Sequence, residues 1–481
     1  MDVREMEVTH RRASVRGDEG EKITKPIKAT SLASKSALTD QSSADEAPLS
    51  SDLELDPKAA ETLLEGSSHV PTYLESSVSG LSPRLKNCVV RLFASIIMIG
   101  GFLFLIYLGP LALVLLVLCL QLACFKELIH IGHVVYRTHN LPWFRTLSWA
   151  FLFTSNYFFF GESLIGRFRI LLAKEDFLAP LVVHHRFISF TLYCACIVAF
   201  VLSLKRKHYL KQFTLFGFTH VSLLIIVSSS HFMIQSIFDG LIWFLVPVAM
   251  VISNDIFAYV FGMLFGKTPL IEVSPKKTWE GFIGGGICSF LVGLFLAWSM
   301  IDNKHFICPI EYDDRVGALS MDCIPDAIFI PRMHNVSRWL PFLPVKQFPQ
   351  YPYFFHCLMI GAFISIIGPF GGFFASGFKR AFKIKDFGDV IPGHGGILDR
   401  FDCQIFVGWF VFFYYNSFIK PLAPSNLLQQ VFVLPQDEQL AVLNLFLDGL
   451  IRRGHVPAEL AQPLIAYGEA IKAAAATIEP P

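Results

Sequence analysis

The sequence predicts an all-α, polytopic membrane protein with about nine transmembrane helices and a disordered polar N-terminal tail. Hydrophobic residues make up 53% of the 481 residues and charged residues only 16%, whereas about a quarter of a typical soluble domain is charged. Apolar runs recur that are long enough to cross a hydrocarbon core of ~30 Å, which takes about 20 helical residues. The formal net charge of +1 and the lack of a basic tract with interleaved aromatic residues argue against a nucleic-acid partner.

Residues 1–80 differ in composition from the rest of the chain. They are rich in Ser, Thr, Glu and Lys and poor in aromatic residues, so they cannot bury enough apolar surface to offset the entropy of ordering. We expect a disordered cytosolic tail, which is either a regulatory segment with phosphorylation sites or an unconstrained extension. The opening residues carry charges of both signs and no apolar run. Targeting is therefore expected to rest on the first membrane span rather than on a signal or transit peptide.

Residues 81–435 are expected to form one multi-pass membrane domain. Leu108-Gly109-Pro110 predicts the tight turn of a helical hairpin between its first two spans. Several spans contain Ser, Asn, Cys and Gly, which suits helices that pack on one another. The candidate spans are 89–108, 110–127, 146–163, 187–204, 212–230, 241–264, 280–301, 353–375 and 402–421.

The loop charges predict the orientation of these spans, because Lys and Arg are enriched in short cytosolic loops. Lys and Arg precede the first span and follow the second, fourth and sixth, while the loop 228–240 has none. The charges alternate correctly if the N-terminus is cytosolic, apart from the basic loop 164–186. Nine spans would then place the C-terminus in the lumen.

The long loop 302–351 is accordingly expected on the luminal side. It contains Cys308 and Cys323, which could form a disulfide in an oxidising lumen, and a sequon at Asn335 that could carry a glycan. The other eight of the ten cysteines lie mostly in spans and lack metal-ligand spacing.

Residues 436–481 are expected to form a C-terminal amphipathic helix and tail. From Asp437 to Gly454, leucines recur on one side of a helix and polar residues on the other. Gly454 is a stop signal for this helix. The helix could lie on the membrane surface or pack on the core, and we favour packing.

A polar stretch, residues 376–402, separates two long apolar segments. An ionisable group near the bilayer centre costs roughly 2.5–3.5 kcal/mol on insertion scales, so a cluster at membrane depth normally lines a wet cavity and serves a function. Mixed charge beside a glycine-rich turn suggests that phosphates and a divalent metal bind here. The stretch contains the cations Lys379, Arg380, Lys383, Lys385 and Arg400 and the carboxylates Asp386, Asp389, Asp399 and Asp402.

The end of the polar stretch predicts a pair of carboxylates. If Ile397 opens a helix, Asp399 and Asp402 lie three residues apart and share a face. Arg400 then points elsewhere and is free to meet a phosphate. A divalent cation would neutralise the pair, and oxygen ligands select Mg²⁺, Mn²⁺ or Ca²⁺. Taken alone, the pair is better explained by a structural network of carboxylates with Lys and Arg.

The turn Pro392-Gly393-His394-Gly395-Gly396 favours an anion site. Its glycines let the backbone approach a ligand and offer N–H groups to an anion. The N-terminus of the following helix adds to that preference. His394 could contact a phosphate, orient a metal ligand or simply cap the turn, and we do not expect it to be a general base.

An acidic residue also lies inside an apolar span. Asp255 follows Asn254 within the run 241–264, on a face of mostly small residues that continues to Gly262 and Gly266. Close helix packing explains the glycines. It does not explain Asp255.

The segment Ser274–Gly281 carries two lysines at the start of the next span. Ser274 as N-cap and Pro275 as first helical residue would begin that span. Lys276 and Lys277 would then stand at its positive end, which suits an anion site. Lysines near an interfacial Trp are also the ordinary sign of a span end.

Together these residues resemble the phosphatidate cytidylyltransferase family, also called CDP-diacylglycerol synthases. The resemblance covers about residues 80–435 and is closest to the animal enzymes. Bacterial members carry an Asp implicated in metal binding at the position of Gly372, so Asp255 or Asp386 would have to replace that ligand here. The family motif, with every spacing met, is Ser376, Lys379-Arg380, Lys385-Asp386, Pro392-Gly393-His394-Gly395-Gly396 and Asp399-Arg400-Phe401-Asp402, and the segments Asn254–Gly262 and Ser274–Gly281 also match.

The resemblance implies a reaction in which CTP and phosphatidic acid give CDP-diacylglycerol and pyrophosphate, for synthesis of phospholipids such as phosphatidylinositol and cardiolipin. It implies Mg²⁺ as cofactor, an endoplasmic reticulum membrane and an active site facing the cytosol, where CTP is available. The implied residues are Lys379, Arg380, Lys385, Arg400 and His394 for catalysis, Ser376, Gly395, Gly396, Lys276 and Lys277 for substrate phosphates, and Asp399, Asp402, Asp386 and Asp255 for the metal.

Two other functions compete with this one. A CTP-dependent lipid kinase acting on a polyprenol-type alcohol would use a comparable membrane site but transfer the γ-phosphate. A transporter would spread its charges over several spans in two related halves, whereas this sequence shows no internal repeat and concentrates its charges in the polar stretch. A homodimer is compatible with the sequence, which does not indicate the oligomeric state.

Overall fold

The computed structural model describes residues 83–135, 141, 143–173, 179–271, 274, 277–313, 318–335, 347–391, 394–420, 431, 434–455 and 457. The predicted disordered tail, residues 1–80, lies outside the described residues. So does Ser337 of the sequon, and the predicted glycan stays untested.

The described chain is almost entirely helical, as predicted. The helices are α1 Pro83–Leu108, α2 Pro110–Val135, α3 Trp143–Ala173, α4 Ala179–Val183, α5 His185–Leu202, α6 Tyr209–Asp239, α7 Ile242–Phe265, α8 Trp279–Met300, α9 Lys304–Ile307, α10 Tyr353–Ile366, α11 Gly368–Ala381, α12 Leu398–Phe418 and α13 Gln436–Arg452. Two short antiparallel hairpins interrupt them between α9 and α10, formed by strands β1 Glu311–Asp313, β2 Ala318–Ser320, β3 Arg332–Asn335 and β4 Gln347–Gln350.

Seven segments of the described chain are long and apolar enough to cross a membrane, which makes this a multi-pass membrane protein. The predicted spans 146–163 and 402–421 are helices α3 and α12, but they are not among the seven, so the count of nine is not confirmed. Polar side chains such as Asn156 in α3 and Asp402 in α12 lower the mean hydropathy of these two helices. The seven segments are Val89–Leu108, Pro110–Val134, His185–Leu202, Tyr209–Asp239, Ile242–Phe265, Trp279–Met300 and Tyr353–Ala381.

The hairpin predicted at Leu108-Gly109-Pro110 is confirmed. Gly109 separates α1 from α2 with a φ of 101°, a left-handed conformation that glycine adopts without a steric penalty. Its N–H donates to the carbonyl of Leu105 at 3.2 Å, which closes α1.

Helices α7 and α8 touch through their backbones. A Cβ added at Gly281 would lie 2.5 Å from the carbonyl oxygen of Ala258, and one at Gly285 would lie 2.8 Å from that of Asn254. Neither contact leaves room for a side chain. The small residues therefore let α7 pack closely on α8, as predicted. This packing fixes the position of Asp255 along the axis of the bundle.

Helix α8 begins four residues later than predicted. Ser274 was expected to be its N-cap, but the helix starts at Trp279 and Thr278 is the N-cap, with its hydroxyl accepting the N–H of Gly281 at 3.3 Å. The preceding residues instead form a turn, in which Leu270 N–H donates to the carbonyl of Lys277 at 2.9 Å. A helix that began at Pro275 would offer the Lys277 carbonyl to the N–H of Gly281, but here that carbonyl accepts from Leu270 and the Gly281 N–H donates to Thr278. Lys277 is exposed at the end of this turn, and Lys276 lies outside the described residues.

Helix α13 confirms the predicted C-terminal amphipathic helix. It ends at Arg452, and Gly454 follows with a φ of 70°, as expected of a helix stop. Leu443 on its apolar side is 47% exposed and Phe446 is 63% exposed. The predicted packing on the core is therefore not found at these two positions.

The polar stretch and the long loop lie at opposite ends of the bundle. Helix α12 starts in the polar stretch, is 21 residues long and so spans about 30 Å. Near its other end, Tyr415 packs on Trp243 with ring centroids 4.9 Å apart. These rings share a buried cluster with Cys308 and Tyr353 from the loop region. Cys308 and Cys323 form the predicted disulfide.

We predict that the disulfide forms in the cell and stabilises the protein. The two cysteines are 15 residues apart, and closing a loop of that size contributes about 3 kcal/mol in the chain-entropy model. Denatured protein should bind two more polymer-linked maleimides after reduction than before, and Cys308→Ser/Cys323→Ser should lower the melting temperature. Cys119→Ser, which removes an exposed free cysteine, is the control. Equal labelling with and without reductant would contradict the bridge.

Candidate active site

The polar stretch folds into a helix end, a turn and a helix start. Helix α11 ends at Ala381, and Lys383 follows in a left-handed conformation with a φ of 55°. The N–H groups of Lys383 and Ile384 donate to the carbonyls of Arg380 and Lys379, which caps the helix. The chain then turns back, and α12 begins at Leu398. The predicted helix start at Ile397 is thus confirmed.

Asp399 joins the three parts of this structure. Its Oδ1 accepts from the Lys379 ammonium on α11 at 2.5 Å. Its Oδ2 accepts the backbone N–H groups of Phe387 at 2.9 Å and Gly396 at 3.2 Å. The Asp399 side chain is 5% exposed and that of Lys379 is 14% exposed. Both oxygens of Asp399 are therefore engaged by the protein, so its first role is to hold the turn between the helices.

Arg400 and His394 form a second link within the turn. The Nε and Nη2 groups of Arg400 donate to the carbonyl of His394 at 3.0 and 2.6 Å. The His394 Nε2 lies 3.3 Å from the hydroxyl of Ser95 on α1. A guanidinium has five N–H donors, and this contact uses two of them. Arg400 is exposed and keeps donors for a ligand.

Asp402 on α12 interacts electrostatically with Asp255 on α7. The backbone N–H of Cys403 donates to Asp402 Oδ1 at 2.8 Å. The positive charges of Lys277 and Arg400 also interact electrostatically with the Asp255 carboxylate. Two carboxylates in a partly apolar site repel each other unless cations neutralise them. This pair, with two cations beside it, is the part of the site best suited to a metal and to phosphates.

Gly371 and Gly372 of α11 lie against the same pair. A Cβ at Gly371 would be 2.6 Å from the carbonyl oxygen of Asp402, so α11 and α12 touch backbone to backbone. A Cβ at Gly372 would be 3.6 Å from Asp402 Oδ2. The position at which the bacterial pattern has Asp therefore faces Asp402. Of the two predicted replacements, Asp255 lies beside Asp402, whereas Asp386 lies near Gly395.

The four predicted metal carboxylates do not form one cluster. In the described part of the chain, no three His, Cys, Asp or Glu side chains are close enough together to hold a metal. Mg²⁺ that serves nucleotide chemistry commonly uses one or two carboxylates together with substrate phosphates. Asp255 and Asp402 fit that requirement. Asp399 is engaged elsewhere, and Asp386 lies across the turn.

The other predicted residues are spread around this centre. The hydroxyl of Ser376 donates to the carbonyl of Gly372 at 2.7 Å, and the N–H of Gly396 is taken by Asp399. Arg380 and Lys385 are exposed beside the turn. Pro392 and Gly393 lie outside the described residues. Among the described residues, the N–H of Gly396 is therefore engaged, while the exposed side chains of Arg380 and Lys385 can donate to an anion.

Sequence reasoning missed Glu127 on α2, which is 6% exposed. Its two oxygens accept the N–H groups of Ile397 at 2.9 Å and Leu398 at 3.0 Å. An acid inside an apolar run is by itself a sign of function in a membrane helix. Its partner could not be read from the sequence, since 270 positions separate Glu127 from Ile397.

Comparison with known proteins agrees with this geometry. A sequence model of the Cytidylyltransferase family matches residues 89–418, which include all the predicted site residues. Phosphatidate cytidylyltransferase 2 of Homo sapiens is 49% identical over 385 residues, which cover 80% of this chain and 86% of the relative. Phosphatidate cytidylyltransferase of Caenorhabditis elegans is 50% identical over 389 residues, 79% of this chain and 83% of the relative. Phosphatidate cytidylyltransferase 1 of Homo sapiens is 48% identical over 389 residues, 81% of this chain and 84% of the relative. The family motif is thus present both in spacing and in a folded site, and the chain belongs to the cytidylyltransferase family.

Proposed function

We propose that the protein is a phosphatidate cytidylyltransferase, which converts CTP and phosphatidic acid into CDP-diacylglycerol and pyrophosphate. The observation that carries this proposal is the electrostatic interaction of Asp255 with Asp402, Lys277 and Arg400, next to the contact of Gly372 with Asp402, at one end of an apolar bundle. Such a site suits a nucleoside triphosphate that reacts with a second substrate held in the bilayer. Relatives about half identical over four-fifths of the chain carry the same activity in their names.

The reaction is an in-line displacement at phosphorus. A phosphate oxygen of phosphatidic acid attacks the α-phosphorus of CTP, a new P–O bond forms, and the bond to the β-phosphate oxygen breaks. Both electrons of the broken bond leave with pyrophosphate. Such transfers depend on positioning and on neutralising the negative charge that meets at the reacting phosphorus.

The cationic side chains have different roles. Arg400 and Lys277 act near the carboxylate pair, so we assign them to the phosphates, with Arg380, Lys385 and Lys276 as outer contacts. Lys379 is paired with Asp399 at 2.5 Å and mainly holds the turn. His394 presents its carbonyl to Arg400, and we assign it to orienting that guanidinium. Ser376, Gly395 and Gly396 shape the turn next to the phosphates.

Mg²⁺ is the cofactor that the site fits best, because its carboxylate oxygens suit a hard cation. Asp402 and Asp255 would hold it, and when bound it would neutralise charge on the triphosphate. The two carboxylates repel each other. A cation bound between them would therefore also stabilise the junction of α7 with α12.

We further propose that the enzyme resides in the endoplasmic reticulum membrane with its site facing the cytosol, and that its product feeds the synthesis of phosphatidylinositol and cardiolipin. The disulfide supports this orientation, because it lies at the opposite end of α12 from the polar stretch and disulfides persist in oxidising compartments. CTP is supplied from the cytosol.

Position-specific labelling of CTP distinguishes cytidylyl transfer from phosphoryl transfer. Purified protein with Mg²⁺ and phosphatidic acid should move label from the α-phosphate of CTP into lipid and release label from the γ-phosphate as pyrophosphate. A CTP-dependent lipid kinase would do the reverse with a polyprenol-type alcohol. If neither label enters lipid, the enzyme proposal fails.

We predict that Asp402→Asn lowers kcat by about 100-fold or more, because it removes one charge from the proposed metal site. It should also raise the Mg²⁺ concentration needed for half-maximal rate, while the protein stays in the membrane. Asp239→Asn is the matched control, since Asp239 is a 5% exposed acid paired with Lys420 at 3.2 Å at the other end of the bundle. Turnover of Asp402→Asn at the wild-type rate would refute the metal assignment.

Cysteine labelling in sealed microsomes tests the orientation. Val390 in the polar stretch is 60% exposed and Ile324 beside the disulfide is 93% exposed. A membrane-impermeant maleimide should label Val390→Cys directly and Ile324→Cys only after the vesicles are opened. Labelling of Ile324→Cys alone in sealed vesicles would place the polar stretch in the lumen.

A further inference from the structure

Glu127 supplies a cap that α12 lacks. The N-cap position of α12 is Ile397, whose side chain makes no capping hydrogen bond. The first N–H groups of a helix need acceptors, and a buried helix start without them is unstable. Glu127 provides both acceptors from α2, at 2.9 Å to Ile397 and 3.0 Å to Leu398.

The turn of the polar stretch is built around this carboxylate. A Cβ at Gly388 would lie 2.7 Å from Glu127 Oε1, and one at Gly396 would lie 2.9 Å from Glu127 Oε2. Both distances are too short for a carbon atom against oxygen. A Cβ at Gly396 would also lie 2.7 Å from the backbone nitrogen of Gly388, so the turn closes around Glu127 at two positions without side chains.

Glu127 and Asp399 together occupy four backbone donors at this point. Asp399 takes the N–H groups of Phe387 and Gly396, and Glu127 takes the next two along the chain. A helix N-terminus with unoccupied N–H groups attracts phosphate. Here two carboxylates already accept those N–H groups, so the α12 N-terminus is not a phosphate site.

We propose that Glu127 is a positioning residue of the active site. It fixes the turn so that Arg400 and Asp402 face the substrates, and it leaves phosphate recognition to cationic side chains instead of the α12 N-terminus. This inference rests on the proposed cytidylyltransferase function and concerns how that site is assembled.

The test compares Glu127→Gln and Glu127→Ala with Gln121→Ala in the full-length protein. Glutamine keeps the shape of Glu127 but has one acceptor oxygen and turns an NH₂ group towards a backbone N–H. Gln121 is a matched control because it lies on the same helix, is 2% exposed, and donates to Asn156 at 2.7 Å away from the polar stretch.

Both Glu127 variants should lose about tenfold or more in kcat, while KM for CTP changes by less than about threefold. Gln121→Ala should keep kcat within about twofold of wild type, even if its melting temperature falls as much as those of the Glu127 variants. A purely structural role would lower the melting temperatures and leave kcat per folded molecule intact in all three variants. That result would overturn the proposal.

Binding of CTP without phosphatidic acid gives a readout that does not need turnover. Glu127→Gln should bind CTP within about threefold of wild type and speed deuterium exchange at the amides of Ile397 and Leu398 by about tenfold. CTP binding that tightens about tenfold would show that the α12 N-terminus is a phosphate site blocked by Glu127, and would refute the inference. Unchanged amide exchange would refute it as well. Because neither readout uses catalysis, a failure of α-phosphate transfer in wild type would reject the proposed function separately.

Discussion

The ion pair between Lys379 and Asp399 is the interaction on which the rest of the site depends. It joins α11 to α12 at 2.5 Å, and the same carboxylate holds the intervening turn through two backbone N–H groups. Removing one partner of a buried pair leaves an uncompensated charge and costs about 3–5 kcal/mol. Arg400 and Asp402, which we propose face the substrates, follow Asp399 along the helix that this pair anchors.

The second constraint on the site is the close approach of its helices, which small residues permit. Gly371 lets α11 touch the backbone of α12, and Gly281 and Gly285 let α8 touch α7. These contacts set the distance between Asp402 and Asp255 without using any side chain at the junction. The proposed site for a metal and a triphosphate thus lies where helix backbones touch, and its carboxylates need not be neighbours in sequence.

Much of this architecture follows from local patterns in the sequence. The turn at Gly109, the helix start at Ile397, the end of α13 at Gly454 and the disulfide were all predicted, because glycine conformation, helix periodicity and loop chemistry act over a few residues. The start of α8 was wrong, since a turn hydrogen bond at Lys277 outweighed the Ser-Pro signal. The division of labour among the acids was also beyond the sequence. Nothing local distinguishes Asp399, which holds the turn, from Asp402, which meets Asp255.

The distance in sequence between Glu127 and the helix that it caps bears on how the protein is made. The start of α12 carries acidic residues that are costly to place at membrane depth, at roughly 2.5–3.5 kcal/mol each when unpaired. Asp399 pairs with Lys379 on α11, and the first N–H groups of α12 donate to Glu127 on α2; both partners belong to helices that are synthesised earlier. Helix α12 therefore packs after α2 and α11 are already in the membrane. The packing step that completes the bundle is also the step that assembles the active site.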